Sequence, residues 1–530
     1  MLKRLLLVAL CSAAPLAAQR PATGSIGAAP PGPLALPTTL KRRIDAWYST
    51  TQRRTRGTWG IAIADERGNV LWAKNPDRAM IPASTAKIFT TSFALSKLGG
   101  DFTHATRVEG VGVLDTTTGQ WVGTWQLQLN GDPTLEDPHG MGPRLYDLAA
   151  QLAARGIREL AGPMLITSAE NTTPDARYPA AWRTANLGSV YAPLIGAVTV
   201  HENVVELLVL PGAKIGARPR IARDTPFGVH ELVVNEAVTR ASRRSRLRLV
   251  PLRDGRLALR GWIGHRAGMR EVKSASADPR KVLEVAWAAV LSQAGIHWER
   301  ESPAMLPPAN AETKLLAEVE SPRLDSVAAM VNRRSLNIGA ELLLRWAAGW
   351  EDPAESLQAH VAEVTGATTG LRLVDGSGFS HDDRVTPRVM ATYLARIPAR
   401  RGTENFPFLL PTNGAGTLAT MRGYPAAGVV RAKTGTLSGV ATLAGYLGRR
   451  EATYLVVLMF NGGRTRRARA AQWQLFRVLG GDGVIIPPDT DFGPEVVSDT
   501  NETPEAVPPD STAATDSTAR ENRPLQPDPQ

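Results

Sequence analysis

Cysteine is almost absent from this sequence. The only one among 530 residues, Cys11, lies in an N-terminal segment that has the pattern of a secretory signal. In that segment Lys3 and Arg4 precede an apolar run, and Ala18 offers a small-residue cleavage site. If residues 1–18 are removed there, the mature chain has no thiol, which excludes disulfides and cysteine chemistry.

Long apolar runs are missing as well. The run from Leu5 to Leu10 is too short to span a bilayer, and no later run is long and apolar enough to do so. Cys11 leaves open a lipoprotein signal, but the preceding Val8-Ala9-Leu10 fits a lipid-attachment motif poorly. We therefore expect an exported protein with a signal peptide over residues 1–18 and without a lipid anchor.

Histidine is scarce, with eight residues, and the sequence has no His-Glu-x-x-His motif and no cluster of cysteines. We therefore expect no metal site. No recognisable nucleic-acid-binding module is present either, and export would remove the opportunity to meet nucleic acid. Nucleic acid is therefore not an expected partner.

Lysine is the remaining scarce residue, since ten of the 61 basic residues are lysines and the others are arginines. Only Lys87 has a serine, Ser84, three positions before it, and only Lys433 is followed by Thr-Gly. Arginine stays protonated because its pKa exceeds about 12, so it cannot easily act as a base. Lysine at these two positions therefore points to chemistry that arginine does not perform.

What the chain has in excess is positive charge, with a formal net charge of +11. The end of the chain is the exception, because from Asp489 onward ten residues are acidic and two are basic. A basic exported protein is expected to meet anionic surfaces such as lipid headgroups or cell-wall polymers. An arginine-rich solvated surface without a specific partner explains the same charge, so both interpretations stay open.

Composition divides the chain into three parts. Residues 19–38 are rich in Pro, Gly and Ala and are predicted to be a linker, and residues 487–530 are predicted to be a disordered acidic tail. The length of 530 residues predicts more than one domain. We expect one split domain, formed by residues 39–101 and 323–486, around an insertion of one or more domains at residues 102–322.

Periodicity and turn signals predict an α+β body, in which an antiparallel sheet built from both chain ends is flanked by helices. The insertion has a mixed pattern with several strand-like runs. The predicted elements of the body are a helix at 40–48, hairpin strands at 59–64 and 70–73, a helix from 84 to 99, a helix at 324–334, strands at 428–436, 441–447 and 453–460, and a final helix at 465–479.

Three short strings carry the parts of a serine acyl-transfer site, namely Ser84-Thr85-Ala86-Lys87, Ser335-Leu336-Asn337 and Lys433-Thr434-Gly435. The hydroxyl of Ser84 needs a base, and Lys87 follows it by three residues on the same helix face. Burial beside the charge of Lys433 would lower the pKa of Lys87 enough for it to accept the proton. Ser335 is expected to relay a proton to the departing amine.

The other site residues are predicted to bind substrate. Asn337 would hydrogen-bond the substrate backbone from an extended segment, and the strand that carries Lys433 and Thr434 would bind an extended peptide by edge pairing. Lys433, Thr434 and Thr436 suit a free terminal carboxylate. The backbone N–H groups of Ser84 and Thr436 are the expected oxyanion donors.

Further segments accompany the three strings, namely Pro82-Ala83 before the first, Gly131-Asp132-Pro133-Thr134-Leu135, Asp375-Gly376-Ser377-Gly378-Phe379-Ser380, Leu410-Pro411 and Gly416-Thr417-Leu418. Over residues 40–480, including the long insertion, the chain resembles the D-alanyl-D-alanine carboxypeptidase/endopeptidase family of penicillin-binding proteins, the penicillin-binding protein 4 type. Thr85 replaces the usual Asn of that family, and Leu336 replaces the usual Asp or Asn. His381 and Asp383 stand where Arg and Asn are usual.

The resemblance implies a penicillin-binding/β-lactamase-like transpeptidase fold and periplasmic hydrolysis of D-alanyl peptide bonds in peptidoglycan. The bond is either the terminal D-Ala-D-Ala bond or the cross-link, and the choice stays open, as does the oligomeric state. The resemblance implies no cofactor, and it implies that β-lactams such as penicillin acylate Ser84. Asp132 would approach the cleft or serve in a turn. By the same resemblance the site consists of Ser84, Lys87, Ser335, Asn337, Lys433, Thr434 and Gly435.

Two alternative functions remain at this point. A β-lactamase or esterase on the same scaffold would use the same serine, although such relatives are more compact than this chain. A wall-binding scaffold with an inactive site is the other alternative, although intact Ser84, Lys87, Ser335 and Lys433 argue against it. A β-lactamase would release hydrolysed drug quickly, a peptidase would stay acylated, and a scaffold would not react.

Overall fold

The computed structural model describes residues 35–480, except 170–173, 304, 422–424, 426–427 and 450–451. The predicted signal peptide, most of the predicted linker and the acidic tail lie outside the described residues. No helix in the described part of the chain combines the length and the apolar character needed to cross a membrane. The helices there are α1 Thr38–Thr55, α2 Lys87–Leu98, α3 Leu145–Ala154, α4 Pro279–Gln293, α5 Leu324–Arg334, α6 Asn337–Ala348, α7 Pro353–Thr365, α8 Pro387–Arg396 and α9 Thr465–Leu479.

The strands form several separate sheets, and short 3₁₀ turns connect some of the elements. In chain order the strands are β1 Gly57–Ala64, β2 Val70–Lys74, β3 Ala105–Asp115, β4 Gln120–Gln128, β5 Glu159–Ala161, β6 Leu165–Thr167, β7 Val204–Leu210, β8 Arg220–Thr225, β9 Val233–Asn235, β10 Val238–Arg240, β11 Ser245–Pro251, β12 Leu257–Gly264, β13 Arg270–Ala275, β14 His297–Glu299, β15 Thr313–Glu320, β16 Leu371–Arg372, β17 Arg384–Val385, β18 Val430–Leu437, β19 Val440–Arg449 and β20 Ala452–Gly462.

The central sheet is antiparallel and joins both ends of the chain in the order β18-β19-β20-β1-β2. Helices cover both of its faces, so alternate residues of one strand enter two different cores. Ile61 and Ile63 of β1 pack with α1 and α9, whereas Ala62 and Ala64 face the core that contains α2, α5 and α8. The predicted α+β architecture is present in this part of the molecule.

The residues between β3 and β15 build three further sheets with a hydrophobic core of their own. The chain leaves the central part through β3 and returns through β15, which pairs antiparallel with β3 so that Ala105 lies opposite Glu320. Among the described residues, the buried side chains of this core lie between Val108 and Ala317. The sheets are β14-β5-β4-β3-β15 with β6 on β4, β10-β12-β11 with β9 on β12, and β13-β7-β8.

Most predicted elements of the body occur close to their predicted positions, and α5 and α9 have the predicted bounds. Two differences have local causes. Helix α1 continues to Thr55 because Thr51 and Thr55 are buried, and the Thr55 hydroxyl accepts a hydrogen bond from the Trp59 indole at 3.0 Å. The helix expected to start at Ser84 begins instead with a 3₁₀ turn, Ala83–Ala86, because Ala83 has a left-handed φ of 47°.

Candidate active site

Ser84 lies in the 3₁₀ turn Ala83–Ala86, directly before α2. The carbonyl oxygen of Pro82 fixes this turn, since it accepts hydrogen bonds from the hydroxyls of Thr85 and of Thr442 on β19, each at 2.6 Å. Ala83 adopts a left-handed conformation that non-glycine residues rarely adopt. The turn is therefore tied to the central sheet and holds Ser84 at the start of a helix, where backbone N–H groups are exposed.

Gly435 allows strand β18 to approach this turn closely. A β-carbon at that position would lie 2.8 Å from the backbone nitrogen of Ser84 and 2.3 Å from the hydroxyl of Thr442. Gly378, with a φ of 73°, allows a similar approach on another side, since a β-carbon there would lie 2.0 Å from the carbonyl oxygen of Ala83. Both glycines are required because the nucleophile turn is packed between two segments of backbone.

The structure brings Lys87 and Ser84 together as the sequence spacing predicted. Lys87 is fully buried, and its Nζ donates hydrogen bonds to Ser84 Oγ at 3.2 Å, Asn337 Oδ1 at 2.6 Å and the Ser377 carbonyl oxygen at 2.7 Å. Two of these acceptors come from segments about 250 and 290 residues away in the sequence. The ammonium group is thus aimed at Ser84 by two fixed acceptors.

Burial lowers the pKa of the Lys87 ammonium to about 7. The carboxylates of Asp375, Glu341 and Asp383 oppose this effect, since negative charge favours the protonated form. The sequence predicted a lowered pKa from burial beside Lys433. Burial is the main cause, and the mutual repulsion of the two lysines is seen in the pKa of Lys433, which the charge of Lys87 helps to lower.

Two of these acidic residues, Asp375 and Glu341, also hold the loop that supplies the Ser377 carbonyl, and the sequence did not single out Glu341. Glu341 on α6 accepts hydrogen bonds from the N–H groups of Gly376 and Ser377, both at 2.9 Å. Asp375 accepts from the N–H groups of Gly378 and Ser380, at 2.6 and 2.7 Å. The only signal in the sequence for this loop was the Asp-Gly-Ser-Gly segment itself, which is one of the segments that carry the family resemblance.

Ser335 and Lys433 form the second serine–lysine contact of the site. Ser335 follows α5 with a left-handed φ of 59°, and its hydroxyl accepts a hydrogen bond from Lys433 Nζ at 2.8 Å. The same ammonium donates to the Thr434 carbonyl oxygen at 2.9 Å. Burial lowers the pKa of Lys433 well below its ordinary value, and the charges of Lys87 and Arg469 add to the effect.

Asn337 takes part in the site in a way that differs from the prediction. It does not lie in an extended segment, because it is the first residue of α6. Its side-chain oxygen accepts from Lys87, and its side-chain nitrogen donates to the carbonyl oxygen of Tyr191 at 2.7 Å. Asn337 therefore orients Lys87 and connects it to the region between β3 and β15.

Arg469 on α9 is a partly buried residue of the site that sequence reasoning missed. Its guanidinium donates to the Gly435 carbonyl oxygen at 2.8 Å and to the Thr436 hydroxyl at 3.0 Å, and burial lowers its pKa to about 10. It also donates to the Thr442 carbonyl oxygen at 2.7 Å. Nothing in the sequence distinguishes it from the 50 other arginines.

Asp132 is buried, and the hydrogen bonds of its Oδ1 are local. This oxygen accepts from the backbone N–H and the hydroxyl of Thr134, at 2.7 and 2.6 Å. Burial raises the pKa of the carboxyl to about 6. These contacts are those of a turn, and no hydrogen bond among the described residues joins Asp132 to Ser84, Lys87 or Ser335. Its role in substrate binding stays a prediction.

The comparisons with known proteins agree with this geometry. A D-alanyl-D-alanine carboxypeptidase of Actinomadura sp. (strain R39) is 27% identical over 451 residues, which cover 80% of this chain and 81% of that protein. The crystal structure of penicillin-binding protein 4 from Haemophilus influenzae superposes with a TM-score of 0.67 at 21% identity, over 81% of this chain and 98% of the other. The same protein complexed with a β-lactam superposes with a TM-score of 0.63 at 22% identity, over the same shares.

The fold expected from the resemblance is therefore confirmed. The profile of the D-Ala-D-Ala carboxypeptidase 3 (S13) family matches residues 40–479, most of the chain. This match also confirms the predicted enzyme class, a serine-type D-Ala-D-Ala carboxypeptidase that acts as a hydrolase. The chain belongs to the D-Ala-D-Ala carboxypeptidase 3 (S13) family.

Proposed function

We propose that this chain hydrolyses D-alanyl-D-alanine bonds in peptidoglycan stem peptides through an acyl-enzyme on Ser84. The observation that carries the proposal is the contact of the fully buried Lys87 Nζ with Ser84 Oγ at 3.2 Å. A pKa of about 7 makes a large fraction of Lys87 neutral at neutral pH. A neutral amine at this distance can accept the serine proton.

The geometry of Lys87 also decides where its lone pair points. A neutral amine has two N–H groups, and the oxygens of Asn337 and Ser377 are acceptors that cannot donate. Both N–H groups are therefore occupied by these two oxygens, and the lone pair is left for the hydroxyl of Ser84. This arrangement pre-orients the base before substrate arrives.

In the proposed acylation step, Ser84 Oγ attacks the carbonyl carbon while its proton passes to Lys87 Nζ. The backbone N–H groups of Ser84 and Thr436 stabilise the resulting oxyanion. Ser335 donates its proton to the departing amine nitrogen, and the proton taken by Lys87 restores the Ser335 hydroxyl. Water then hydrolyses the acyl-Ser84 ester and regenerates the enzyme.

We propose that β18 binds the substrate along its open edge. Apart from a bridge between Thr412 and Arg431, β18 pairs among the described residues only with β19. Leu437 pairs with Val440 across a two-residue turn. Hydrogen-bonded and non-hydrogen-bonded pairs alternate along an antiparallel ladder, so the N–H group of the next residue, Thr436, points away from β19. Lys433, Thr434, Gly435 and Thr436 would then contact the terminal D-alanine and its carboxylate, with Asn337 and Asp132 lining the cleft.

We also propose that β-lactams acylate Ser84, because these strained amides would enter the same position as the D-alanyl bond. The Haemophilus influenzae penicillin-binding protein 4, whose fold this chain shares, has been crystallised in complex with a β-lactam. A β-lactamase or esterase reaction would need rapid hydrolysis of the acyl-enzyme instead.

Product analysis tests the proposal and also separates the two possible bonds. The purified mature chain is incubated with an acyl-D-alanyl-D-alanine peptide and, separately, with a cross-linked muropeptide dimer. We expect free D-alanine from the first, or monomers from the second, or both, and neither product with Ser84→Ala. Absence of both products with the folded wild-type chain would contradict the proposed function.

The same proposal includes the location and the division of the chain. The N-terminal signal pattern supports export to the periplasm, where peptidoglycan lies.

The division into residues 39–101 with 323–486 and an insertion at 102–322 is supported by the pairing of β3 with β15 and by the separate core between them. Limited proteolysis should release the insertion as a fragment if it is a domain.

We further propose that an anionic polymer or membrane surface contacts the insertion. Residues 211–270 contain fourteen Lys or Arg residues against four Asp or Glu residues. On the outward face of β11 and β12, Arg248 lies directly opposite Arg260 and Arg246 opposite Trp262. Glu236 pairs with Arg260 at 2.7 Å, so Arg246 and Arg248 carry the excess positive charge of this face, which favours a role in binding anions. Arg246→Glu with Arg248→Glu should weaken salt-sensitive binding to phosphatidylglycerol vesicles, and unchanged binding would refute this surface.

A further inference from the structure

Arg334 is the last residue of α5 and directly precedes Ser335. Its guanidinium does not point to solvent but binds two carboxylates of the insertion. It donates to Asp137 Oδ1 at 2.8 Å and to Glu202 Oε1. The Asp137 side chain is 0% exposed, Glu202 is 11% exposed and Arg334 is 14% exposed. These three side chains are called the Arg334 junction below.

The insertion holds both carboxylates in place independently of Arg334. The second oxygen of Asp137 accepts hydrogen bonds from the N–H groups of His139 and Met141, at 2.9 and 3.1 Å. Its first oxygen is therefore left directed at Arg334. Glu202 belongs to the turn His201–Asn203, which is tied down by hydrogen bonds from the Asn203 side chain to the carbonyl oxygens of Leu194 and Val198.

Backbone strain is concentrated at this junction. His201, Glu202 and Asn203 are three consecutive non-glycine residues with φ of 49°, 57° and 54°. Glu136, whose carbonyl oxygen contacts the His201 ring at 2.9 Å, has a φ of 58°. Ser335, on the other side of the junction, has a φ of 59°. Such conformations persist only where the surroundings enforce them, and they are enriched at functional sites.

The charges of the junction add little stability by themselves. Removing an arginine and two carboxylates from water is costly, and buried ion pairs often only offset that cost. Burial raises the pKa of Glu202, and the charge of Arg334 acts against this rise. Because a buried ion pair is weak evidence for stability, its more informative consequence is the geometry that it imposes on the adjoining residue.

We propose that Arg334 is a positioning residue through which the insertion fixes Ser335. With its guanidinium held by Asp137 and Glu202, the end of α5 has one orientation, and the Ser335 hydroxyl stays 2.8 Å from Lys433 Nζ. This inference rests on the proposed function, in which Ser335 protonates the departing amine. The insertion would then be a part of the catalytic apparatus.

The chemistry of the leaving group separates positioning from a merely structural role. An amine leaves only when its nitrogen receives a proton, whereas a thiolate leaves without one. A misplaced Ser335 should therefore slow acylation by a peptide much more than acylation by a thioester. Loss of folded protein would slow both reactions equally.

The experiment compares kcat/KM for an acyl-D-alanyl-D-alanine peptide with that for the matched acyl-D-alanyl thioglycolate thioester. Arg334→Gln is made alone and together with Asp137→Asn and Glu202→Gln, so that one variant leaves no unpaired buried charge. We expect peptide kcat/KM to fall at least tenfold and thioester kcat/KM to change less than threefold, as with Ser335→Ala. Arg334→Lys should recover part of the peptide rate. Arg323→Gln, before the other end of α5, is the control and should leave both values unchanged.

An equal loss on both substrates, or no loss in any folded Arg334 variant, would overturn the positioning role. If the folded wild-type chain acts on neither substrate, the proposed function fails instead. The two failures are therefore distinguishable in the same experiment.

Discussion

The site contains two buried lysines whose surroundings differ in charge. Lys87 and Lys433 are both fully buried, and each donates a hydrogen bond to a serine hydroxyl. Lys87 is influenced by the carboxylates of Asp375, Glu341 and Asp383, whereas Lys433 is influenced by the cations Lys87 and Arg469. One lysine, Lys87, thus lies on an acidic side of the cleft, and the other, Lys433, lies on a basic side.

This difference separates the roles that two lysines can have. On the acidic side, burial and negative charge balance so that the pKa of Lys87 is about 7, which suits a general base. On the basic side, the positive charges repel one another and would be stabilised by an anion. A substrate with a free carboxylate supplies that anion, so the basic side is suited to binding and the acidic side to proton transfer.

Of the two lysines, Lys87 should give the larger loss of kcat/KM when it is replaced. Lys87→Met removes the base, and because general bases contribute roughly 10²- to 10⁴-fold, kcat/KM for D-alanine release should fall by about that factor. Lys97→Met, at an exposed position near the end of the same helix, is the matched control. Steady-state release of D-alanine checks the prediction, and a folded Lys87→Met chain within threefold of wild type would contradict it.

Replacing Lys433 should give a smaller effect that depends on the substrate. Lys433→Gln removes a charge-assisted hydrogen bond worth about 1.5–3 kcal/mol, which corresponds to a roughly 10- to 150-fold loss in kcat/KM. The loss should be larger with a free terminal carboxylate than with the terminal carboxamide, because the carboxamide peptide loses only the effect of the Lys433 contact with Ser335. The ratio of the two kcat/KM values measures it, and an unchanged ratio would remove Lys433 from carboxylate recognition.

Removing one carboxylate from the acidic side should shift the pH dependence. Lys87 accepts a proton only when neutral, so kcat/KM should fall as the pH decreases through about 7. The negative charge of Glu341 raises the pKa of Lys87, so Glu341→Gln should move this acidic limb to lower pH. Glu363→Gln removes a carboxylate from the exposed ion pair with Arg400, and it should leave the acidic limb of the pH profile unchanged. A limb that moves to higher pH in Glu341→Gln would refute the assignment.

The sequence predicted local features of the site better than its long-range contacts. The three-residue spacing of Ser84 and Lys87 is a helical neighbour relation, and the amphipathic pattern of residues 465–479 was sufficient to give the bounds of α9. The central sheet could also be predicted, since β1 and β20 have strong strand patterns at both ends of the chain.

The contacts that orient the base could not be predicted in this way. Lys87 is aimed by Asn337 and by the Ser377 carbonyl, which are distant in sequence and belong to a helix start and a loop. Glu341 appears in the sequence as one charged residue of a helix, and only the packing of α6 against the Ser377 loop buries it. Such roles arise from tertiary contacts, which periodicity and spacing do not encode.

Intact-mass analysis with penicillin tests the acyl-Ser84 proposal most directly. The purified mature chain is exposed briefly to penicillin, followed over time and digested to locate the adduct, with Ser84→Ala in parallel. We expect a lasting adduct of one penicillin per chain that maps to Ser84 and is absent from the folded Ser84→Ala chain. An adduct on another residue, or no adduct with the drug unconsumed, would contradict it, and drug consumed without a lasting adduct would indicate a β-lactamase that uses the same serine.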